Sequence, residues 1–393
     1  PTPAPPVPPT RAVTEEVSRP QGPVGFTAPV QVVLPPPVVM RPVVSPPATT
    51  DPVRPSGGGV RIATMGALAL GLLGVVSWVV THQNTGTTLP DAAVPSSDAA
   101  VVVAAPRREE RCPEDMVLIR GGTFQMGSPD GEGESDEHPR HAVTLPSFCV
   151  DRTEASVASW QACVAGGGCD AAPTTTSWSG MPEGVRRVYD RFCNGNHLDR
   201  VTEPINCIDW SQARRYCAWS GHPGGPRRLL REAEWEFVAR GTSNRQYPWG
   251  SEAPDGTRAN LCGDECVEYG RTFRVSWTSI ANWRDAYGGL APVTSFPAGA
   301  TPEGVLNLAG NVWEWVEDVY VPDAYAHHDS AGVFARGSSD GTTEFRVIRG
   351  GGWGSNPASV ARSAHRVGYG VVTPYYELGV RCARGVMEQS ADR

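Results

Sequence analysis

Cysteine is the residue type in this 393-residue chain with the clearest chemical potential. All ten cysteines lie in residues 112–382, and an even number confined to one region is typical of a disulfide framework. A zinc ribbon is the alternative, but no CxxC pair is present, and the shortest spacings are Cys163/Cys169 and Cys262/Cys266. We therefore expect disulfides, and with them an oxidising compartment.

Oxygen-bearing side chains form a second candidate site. Asn307 and Glu314 are seven positions apart in LNLAGNVWEW, and Gly310 between them allows a sharp turn. Calcium takes about six to eight oxygen ligands from carboxylates, amides and backbone carbonyls. The segment therefore predicts a calcium loop. The alternative is that Asn307, Asn311 and Glu314 cap a turn and satisfy buried backbone groups.

The elements that must position these residues lie in residues 112–385, which hold eleven of the twelve tryptophans. Apolar periodicity predicts strands within 116–128, 141–156, 345–353 and 375–384, and helices at Ser156–Cys163, Asp209–Trp219 and Glu232–Arg240. The remainder, 241–345, is expected to be loop. Loops of that length are uncommon unless a disulfide or a bound ion holds them.

The N-terminal part has a different composition. Residues 1–59 contain 17 of the 37 prolines, which predicts a disordered, partly polyproline-II segment. Residues 62–80 are uncharged and apolar, and their length matches a hydrocarbon core of about 30 Å, so we expect one transmembrane helix. A cleaved signal peptide or a buried core helix is the alternative. Residues 81–111 read as a flexible stalk, and 386–393 as a tail.

Charge indicates orientation and class of partner. Arg41, Arg54 and Arg61 precede the predicted span, whereas 81–106 contains neither Lys nor Arg. The positive-inside tendency therefore leaves the N-terminal segment in the cytoplasm and the C-terminal domain periplasmic or extracellular. The net charge of −8 gives no basic footprint for nucleic acid, so we expect no nucleic-acid partner.

Eight short motifs occur in an order that is specific to one family. They are GGTFQMGS, FCVDRTEAS, PINCIDWSQARRYCAWSG, EAEWEFVARG, YPWG, LNLAGNVWEWVEDVY, VIRGGGW and LGVRCAR. Over about residues 112–385 the chain thus resembles the formylglycine-generating enzyme, or sulfatase-modifying factor, family. The resemblance implies an α+β, C-type-lectin-like fold with little regular secondary structure.

The resemblance also implies structural calcium. The family's second calcium loop maps to the side chains of Asn307 and Glu314 and the carbonyls of Gly310 and Val312. Its first site maps to Asn260, Leu261, Asp285 and Tyr287, although the CGDEC insertion beside Leu261 could distort it.

Disulfide pairing is implied in part. Family members pair the equivalents of Cys217 and Cys382. We further expect Cys112–Cys149 to join the first two strands and Cys262–Cys266 to close a small loop. The other four admit three pairings that the sequence does not separate: Cys163, Cys169, Cys193 and Cys207.

The family's copper site is missing. Its oxidising members need two cysteines five positions apart after the RGG strand, because paired thiolates select Cu(I). Here those positions are Ser355 and, near the second, Val360, and no cysteine lies between Cys266 and Cys382. We therefore expect no catalytic residues of this type, no copper and no formylglycine synthesis by the known route.

Histidine offers no obvious replacement. The family's sulfoxide synthases hold a non-haem iron with three histidines, two of them on an added helical domain. No HxxxHxE helix is present here, and the pairs His138/His141 and His327/His328 are unsuitably spaced. His365, near the family's active-site face, is a weaker candidate for a functional residue.

One helix start also departs from the family. The usual RLPTEAEWE is RLLREAEWE here, with Leu230 and Arg231 in place of the capping Thr segment. Loss of an N-cap costs about 1 kcal/mol, and the sequence offers no visible compensation.

These observations favour a membrane-anchored, exported domain that has lost oxidase chemistry and acts as a binding or sensing module for an unknown peptide or glycan. The alternative is an oxidoreductase or protein-modifying enzyme that uses a different site. A cytoplasmic signalling domain upstream of Pro1 is a further expectation. The candidate ligand-facing residues are Trp353, Arg349, Tyr369, Tyr375 and Tyr376. Core packing is the competing interpretation for all five, and it is favoured for Trp353 and Arg349.

Overall fold

The computed structural model describes residues 110–178, 181–220, 225–327 and 345–388. The predicted disordered segment, transmembrane helix and nearly all of the stalk lie outside these residues. Within the described ranges no helix is long and apolar enough to cross a membrane.

The described residues form short strands and helices. The strands are β1 (Glu110–Arg111), β2 (Met116–Ile119), β3 (Gly122–Met126), β4 (His141–Leu145), β5 (Phe148–Asp151), β6 (Arg228–Leu229), β7 (Trp313–Val319), β8 (Phe345–Arg349), β9 (Arg366–Gly370), β10 (Leu378–Gly379), β11 (Cys382–Gly385) and β12 (Met387–Glu388). The α-helices are α1 (Val157–Ala165), α2 (Glu183–Tyr189), α3 (Trp210–Ser220), α4 (Glu232–Arg240) and α5 (Asp264–Thr272). Short 3₁₀ turns include Asp190–Phe192 and Ala358–Ala361.

Two four-stranded sheets organise the fold. One has the strand order β2-β5-β11-β6, and the other has the order β10-β7-β8-β9. Two-stranded ribbons, β3-β4 and β1-β12, complete the described strands. Neighbouring strands are antiparallel except β10 and β7, which run parallel. In β4 the sequence HAVTL alternates buried and exposed side chains, as expected for a strand with one solvated face.

The interior comprises three apolar clusters. Trp160 and Tyr216 stack at 5.4 Å in the first, where α1 and α3 pack together. The second lies between α4 and the β3-β4 ribbon and contains Phe124 and Phe237. The third combines aromatic rings with two disulfides, and its buried aromatic residues are Tyr189, Phe192, Trp277, Trp353 and Tyr376.

The loop prediction for residues 241–345 is wrong in part. That interval contains α5 and β7. The first four residues of β7 are all buried, so the strand lacks the polar-apolar alternation that reveals a half-exposed strand. Helix α2 was also not predicted, whereas α1, α3 and α4 lie within two residues of the predicted helices.

Five disulfides hold this fold, and every cysteine of the sequence takes part. The three expected bonds are present, namely Cys112–Cys149, Cys217–Cys382 and Cys262–Cys266. The four undecided cysteines pair as Cys163–Cys169 and Cys193–Cys207. These two bonds join cysteines that are 6 and 14 positions apart in the sequence.

The N-terminus of α4 is stabilised by a side chain of strand β7. Arg231 is the N-cap residue, and its backbone N–H donates to the Glu234 carboxylate at 2.9 Å. The next N–H, that of Glu232, donates at 2.7 Å to the carboxylate of Asp318 on β7. A tertiary acceptor thus compensates for the local cap that the sequence lacks.

Candidate functional site

The first predicted calcium site is a buried carboxylate beside an unsatisfied amide oxygen. Asp285 accepts hydrogen bonds from the backbone N–H groups of Leu261 at 3.1 Å and Tyr287 at 2.9 Å, and from the Trp283 indole at 3.0 Å. Asn260 donates to the carbonyl of Gly289 at 2.9 Å, whereas its Oδ1 is buried with no hydrogen-bond partner among the described residues. These four predicted positions are therefore brought together.

The electrostatics of this site suit a cation. Burial raises the pKa of Asp285 to about 6, and hydrogen bonds from Tyr287, Trp283 and Leu261 only partly offset that effect. The charges that act on it include that of Glu265, which raises the pKa further. A buried carboxylate without a positive partner and an orphaned amide oxygen are hard donors of the kind calcium prefers.

The second predicted site adjoins the first. Asn260 forms a parallel bridge with Gly310, and the Asn311 N–H donates to the Asn260 carbonyl at 2.9 Å. Asn307 and Gly310 both have positive φ, at +55° and +80°, so the segment turns sharply. The Asn307 amide nitrogen donates to Glu154 at 3.0 Å and to the Val293 carbonyl at 2.9 Å. Its Oδ1 is buried without a hydrogen-bond partner among the described residues.

An arginine occupies part of this second site. Arg381 donates to Glu314 at 2.7 Å, and both side chains are almost completely buried. Glu314 also accepts from the Trp235 indole at 2.8 Å. Glu314 is therefore already neutralised, which makes it a weaker calcium ligand than Asp285, while the Asn307 oxygen remains available. Val312 is fully buried in this segment.

Glu154 is a member of the second site that sequence reasoning missed. Burial raises its pKa to about 7; the charge of Arg381 lowers this pKa, and the charge of Glu314 raises it. It accepts from the amides of Asn307 and Asn311, the latter at 2.8 Å. Glu154 lies about 150 residues from these partners in sequence, so no local pattern indicates its role.

The loop after β8 contains the positions where the family has thiols. The Ser355 hydroxyl accepts from the Gly352 N–H at 3.0 Å, and the Ser355 carbonyl accepts from the Cys262 N–H at 3.2 Å. Val360 lies in the 3₁₀ turn and packs near Gly351. The Cys262 sulfur beside this loop is bonded to Cys266. The loop therefore presents no thiolate.

The histidines do not converge on a metal. Within the described ranges, no group of three His, Cys, Asp or Glu side chains is placed to hold an ion. The ring of His365 lies 5.7 Å from that of Trp313, and burial lowers the pKa of His365 to about 4, so the ring is neutral. His138 contacts the Glu132 carbonyl, and His327 contacts Asp323.

The predicted ligand-facing residues are mostly interior. Arg349 is fully buried and pairs with Glu232 at 3.0 Å and Glu236 at 2.7 Å. Trp353, Tyr369 and Tyr376 are also buried, whereas Tyr375 is half-buried. The core interpretation is thus correct for Trp353 and Arg349, and an exposed rim formed by Tyr369 and Tyr376 is not.

A buried carboxyl group beside the RGGGW loop was not predicted. Glu377 precedes β10 and is 2% exposed. Its side chain contacts the RGGGW loop so closely that a methyl group at Gly352 or Gly354 would overlap its carboxylate oxygens. Burial raises the pKa of Glu377 to about 7, against hydrogen bonds from Tyr376 and the Gly354 N–H.

Comparison with known proteins agrees with this architecture. Residues 102–386 match the family described as "Sulfatase-modifying factor enzyme 1-like domain". The chain is 33% identical over 276 residues to a formylglycine-generating enzyme of Thermomonospora curvata, covering 63% of this chain and 85% of that protein. It is 28% identical over 305 residues to an inactive C-alpha-formylglycine-generating enzyme 2 of Bos taurus, covering 69% and 88%.

A solved structure supports the fold. The structure of PvdO from Pseudomonas aeruginosa superposes with a TM-score of 0.53 at 28% identity, covering 69% of this chain and 94% of that one. The family match spans more than half of the sequence and all of the sites described above. The chain therefore belongs to the formylglycine-generating enzyme, or sulfatase-modifying factor, family.

Proposed function

We propose that this domain does not form formylglycine through paired thiolates and acts instead as a binding or sensing module with the family's C-type-lectin-like architecture. One observation carries the proposal: all ten cysteines are in disulfides, and Ser355 and Val360 stand where the family has its thiols. Without a thiolate pair the loop lacks the soft donors that select Cu(I). A relative that is named inactive matches over most of its length.

An oxidoreductase that uses a different site is the second candidate. The observation that favours it is the contact between Cys262 and the Ser355 carbonyl, which puts the Cys262–Cys266 disulfide next to the loop. Reduction of that bond would release two thiols. The relatives that are named formylglycine-generating enzyme also support this candidate.

Calcium is the proposed structural ion. The buried Asn260 and Asn307 oxygens without partners support one ion at each predicted site, and the uncompensated charge of Asp285 favours the first. Asn260, Asp285 and the carbonyls of Leu261 and Tyr287 would hold that ion. It would neutralise buried oxygen atoms and tie together loops that have few regular hydrogen bonds.

The proposed location follows from the sequence. Residues 62–80 would anchor the chain in a membrane with the N-terminal segment in the cytoplasm, and the domain would be exported. Five disulfides support an oxidising compartment. A ligand outside the cytoplasm and a signalling domain upstream of Pro1 remain parts of this proposal.

Copper binding and oxygen consumption test the two candidates. The oxidised domain should bind no stoichiometric Cu(I) and consume no oxygen with a cysteine-containing peptide. The Ser355→Cys/Val360→Cys double variant, which puts thiols at the family positions, provides a matched comparison for Cu(I) binding. One equivalent of Cu(I) with turnover in the wild type would overturn the binding-module proposal. If both appear only after reduction and vanish in Cys262→Ser/Cys266→Ser, the second candidate is correct.

A further inference from the structure

Glu377 differs from Glu232 and Glu314, two other deeply buried carboxylates, in having no cationic partner among the described residues. Glu232 pairs with Arg349 and Arg366, and Glu314 pairs with Arg381. Among the described residues, the groups that influence Glu377 are the Tyr376 side chain and the Gly354 N–H, and no arginine or histidine. An unpaired charge in the interior is costly, so a carboxylate kept in this way suggests that its partner comes from outside the chain.

Aromatic residues flank this carboxyl group in sequence and across the RGGGW loop. Tyr375 and Tyr376 have ring centroids 4.5 Å apart, and Tyr369 lies 5.3 Å from Tyr375. Trp353 lies 5.7 Å from Tyr376. Burial raises the pKa values of these tyrosines and of Tyr189, and the charge of Glu377 raises them further.

Two polar groups in the same cluster have no hydrogen-bond partner. The Trp353 indole N–H and the Tyr369 hydroxyl are both buried, and neither meets a partner among the described residues. Buried polar groups are normally hydrogen-bonded, so each exception calls for an explanation. A ligand that donates a hydrogen bond to the Tyr369 oxygen would satisfy that hydroxyl.

The cluster reaches the surface on one side. Tyr375 is half-buried, and so is Trp178, whose ring lies 6.3 Å from that of Tyr375. Val372, in the turn that leads to this segment, is 75% exposed. Movement of the Trp178 and Tyr375 rings would therefore open a route from solvent to Glu377.

We propose that Glu377 and the surrounding rings of Tyr369, Tyr375, Tyr376, Trp353 and Trp178 form a binding site for an organic cation, an ammonium or guanidinium group. The site is named here the Glu377 cage. Aromatic faces attract cations through their quadrupole, and a buried carboxylate supplies the opposite charge. This inference rests on the proposed binding function and specifies the ligand chemistry. The ammonium or guanidinium group belongs either to a free amine or to a Lys or Arg side chain of a peptide.

The test measures binding of n-butylammonium, with n-butanol as the neutral probe, and of an acetylated, amidated Gly-Lys-Gly peptide. Saturable binding of a cation and not of n-butanol supports the proposal. Whichever of the two cations binds with higher affinity shows whether the ligand is a free amine or a peptide side chain. Affinity should rise about tenfold from pH 6 to pH 8, because a carboxyl group of pKa about 7 is about one-tenth ionised at pH 6 and about nine-tenths ionised at pH 8. The tyrosines that face Glu377 remain neutral over that range.

Variants separate the carboxylate from general effects. Glu377→Gln should lower the affinity at pH 8 at least about tenfold and abolish the pH dependence. The matched control is Glu317→Gln, a carboxylate paired with Arg214 on the outer part of β7, which should change neither. If Glu377→Gln fails to fold, Trp178→Ala at the half-buried wall should still weaken binding severalfold. Equal binding of n-butanol, or a flat pH profile in the wild type, would overturn the proposal.

The outcome stays distinct from that of the copper assay. Absence of cation binding together with absence of Cu(I) would refute the Glu377 cage and leave the binding-module proposal standing. Turnover with copper would refute the binding module whatever the cation measurements show.

Discussion

Arg381 provides the sharpest test of how this domain tolerates buried acids. Its guanidinium donates to Glu314 at 2.7 Å, to the carbonyl of Leu306 at 2.7 Å and to that of Asp151 at 3.1 Å. It also lies 4.0 Å from Glu154. The Arg381→Met change keeps most of the buried volume and leaves two carboxyl groups with no positive partner. Removing one member of a buried pair costs about 3–5 kcal/mol.

The cost of this change should depend on pH. Burial and the charge of Glu314 already raise the pKa of Glu154 to about 7, and Arg381 opposes both effects. Without Arg381 the folded-state pKa of Glu154 rises further above its unfolded value. The folded state then binds more protons, so stability falls as pH rises, by about 1.4 kcal/mol per pH unit between the unfolded and folded pKa values of this group. The loss should be smaller at pH 5 than at pH 8.

Denaturant unfolding followed by tryptophan fluorescence, with disulfides intact, measures the free energy of unfolding at each pH, and thermal unfolding measures the melting temperature. At about 2–4 °C per kcal/mol for a domain of this size, the melting temperature should fall by about 6–20 °C at pH 8. Arg215→Met is the matched control, because its exposed pair with Asp170 should contribute less than about 1 kcal/mol. A loss below about 1 kcal/mol in Arg381→Met, or one that is the same at both pH values, would refute the reasoning.

Two further predictions concern loops and helix ends. Calcium at one hundred times its dissociation constant should stabilise the domain by about 2.7 kcal/mol, compared with the same protein in a chelator. Asp285→Asn should remove much of this gain, whereas the control Asp264→Asn, at a partly exposed pair with Arg284, should keep it. A wild-type protein whose stability does not change with calcium would contradict the proposed site. Asp318→Ala should destabilise the domain by about 1 kcal/mol, because Glu232 loses its N-terminal acceptor, whereas Asp318→Asn keeps an acceptor oxygen and should lose less in the same unfolding assay.

Elements with local signals were predictable from the sequence. The apolar spacing of Trp210, Ala213, Tyr216 and Cys217 indicated α3, and HAVTL indicated a strand. Helix α5 was missed because its apolar residues are few: only Cys266 and Gly270 of its nine residues are buried, and Val267 and Tyr269 pack partly buried against the third cluster. A signal was nevertheless present, since the pair Cys262/Cys266 has the i, i+4 spacing of a helical turn.

Spacing alone predicted the candidate site only where its residues are close in sequence, whereas the grouping of Asn260 with Asp285, 25 positions apart, was implied by the family resemblance. Asn307 and Glu314 belong to one motif, and the structure places them in one buried segment as expected. Glu154 reaches them from the start of α1, and Glu377 meets Gly352 across an intervening stretch of chain. Such meetings are set by tertiary packing, which periodicity and spacing do not encode.

The pairing of β1 with β12 has a mechanical consequence. Arg111 lies opposite Met387, so the first and last described strands are neighbours. A pulling force applied along the chain from residue 109 would first peel β1, which is only two residues long. It would then meet the covalent link from Cys112 to Cys149 and pass directly into β5, inside a four-stranded sheet. Tension on a tether at this end would therefore unzip little, and the sites around Glu377 and Asp285 would keep their shape under load.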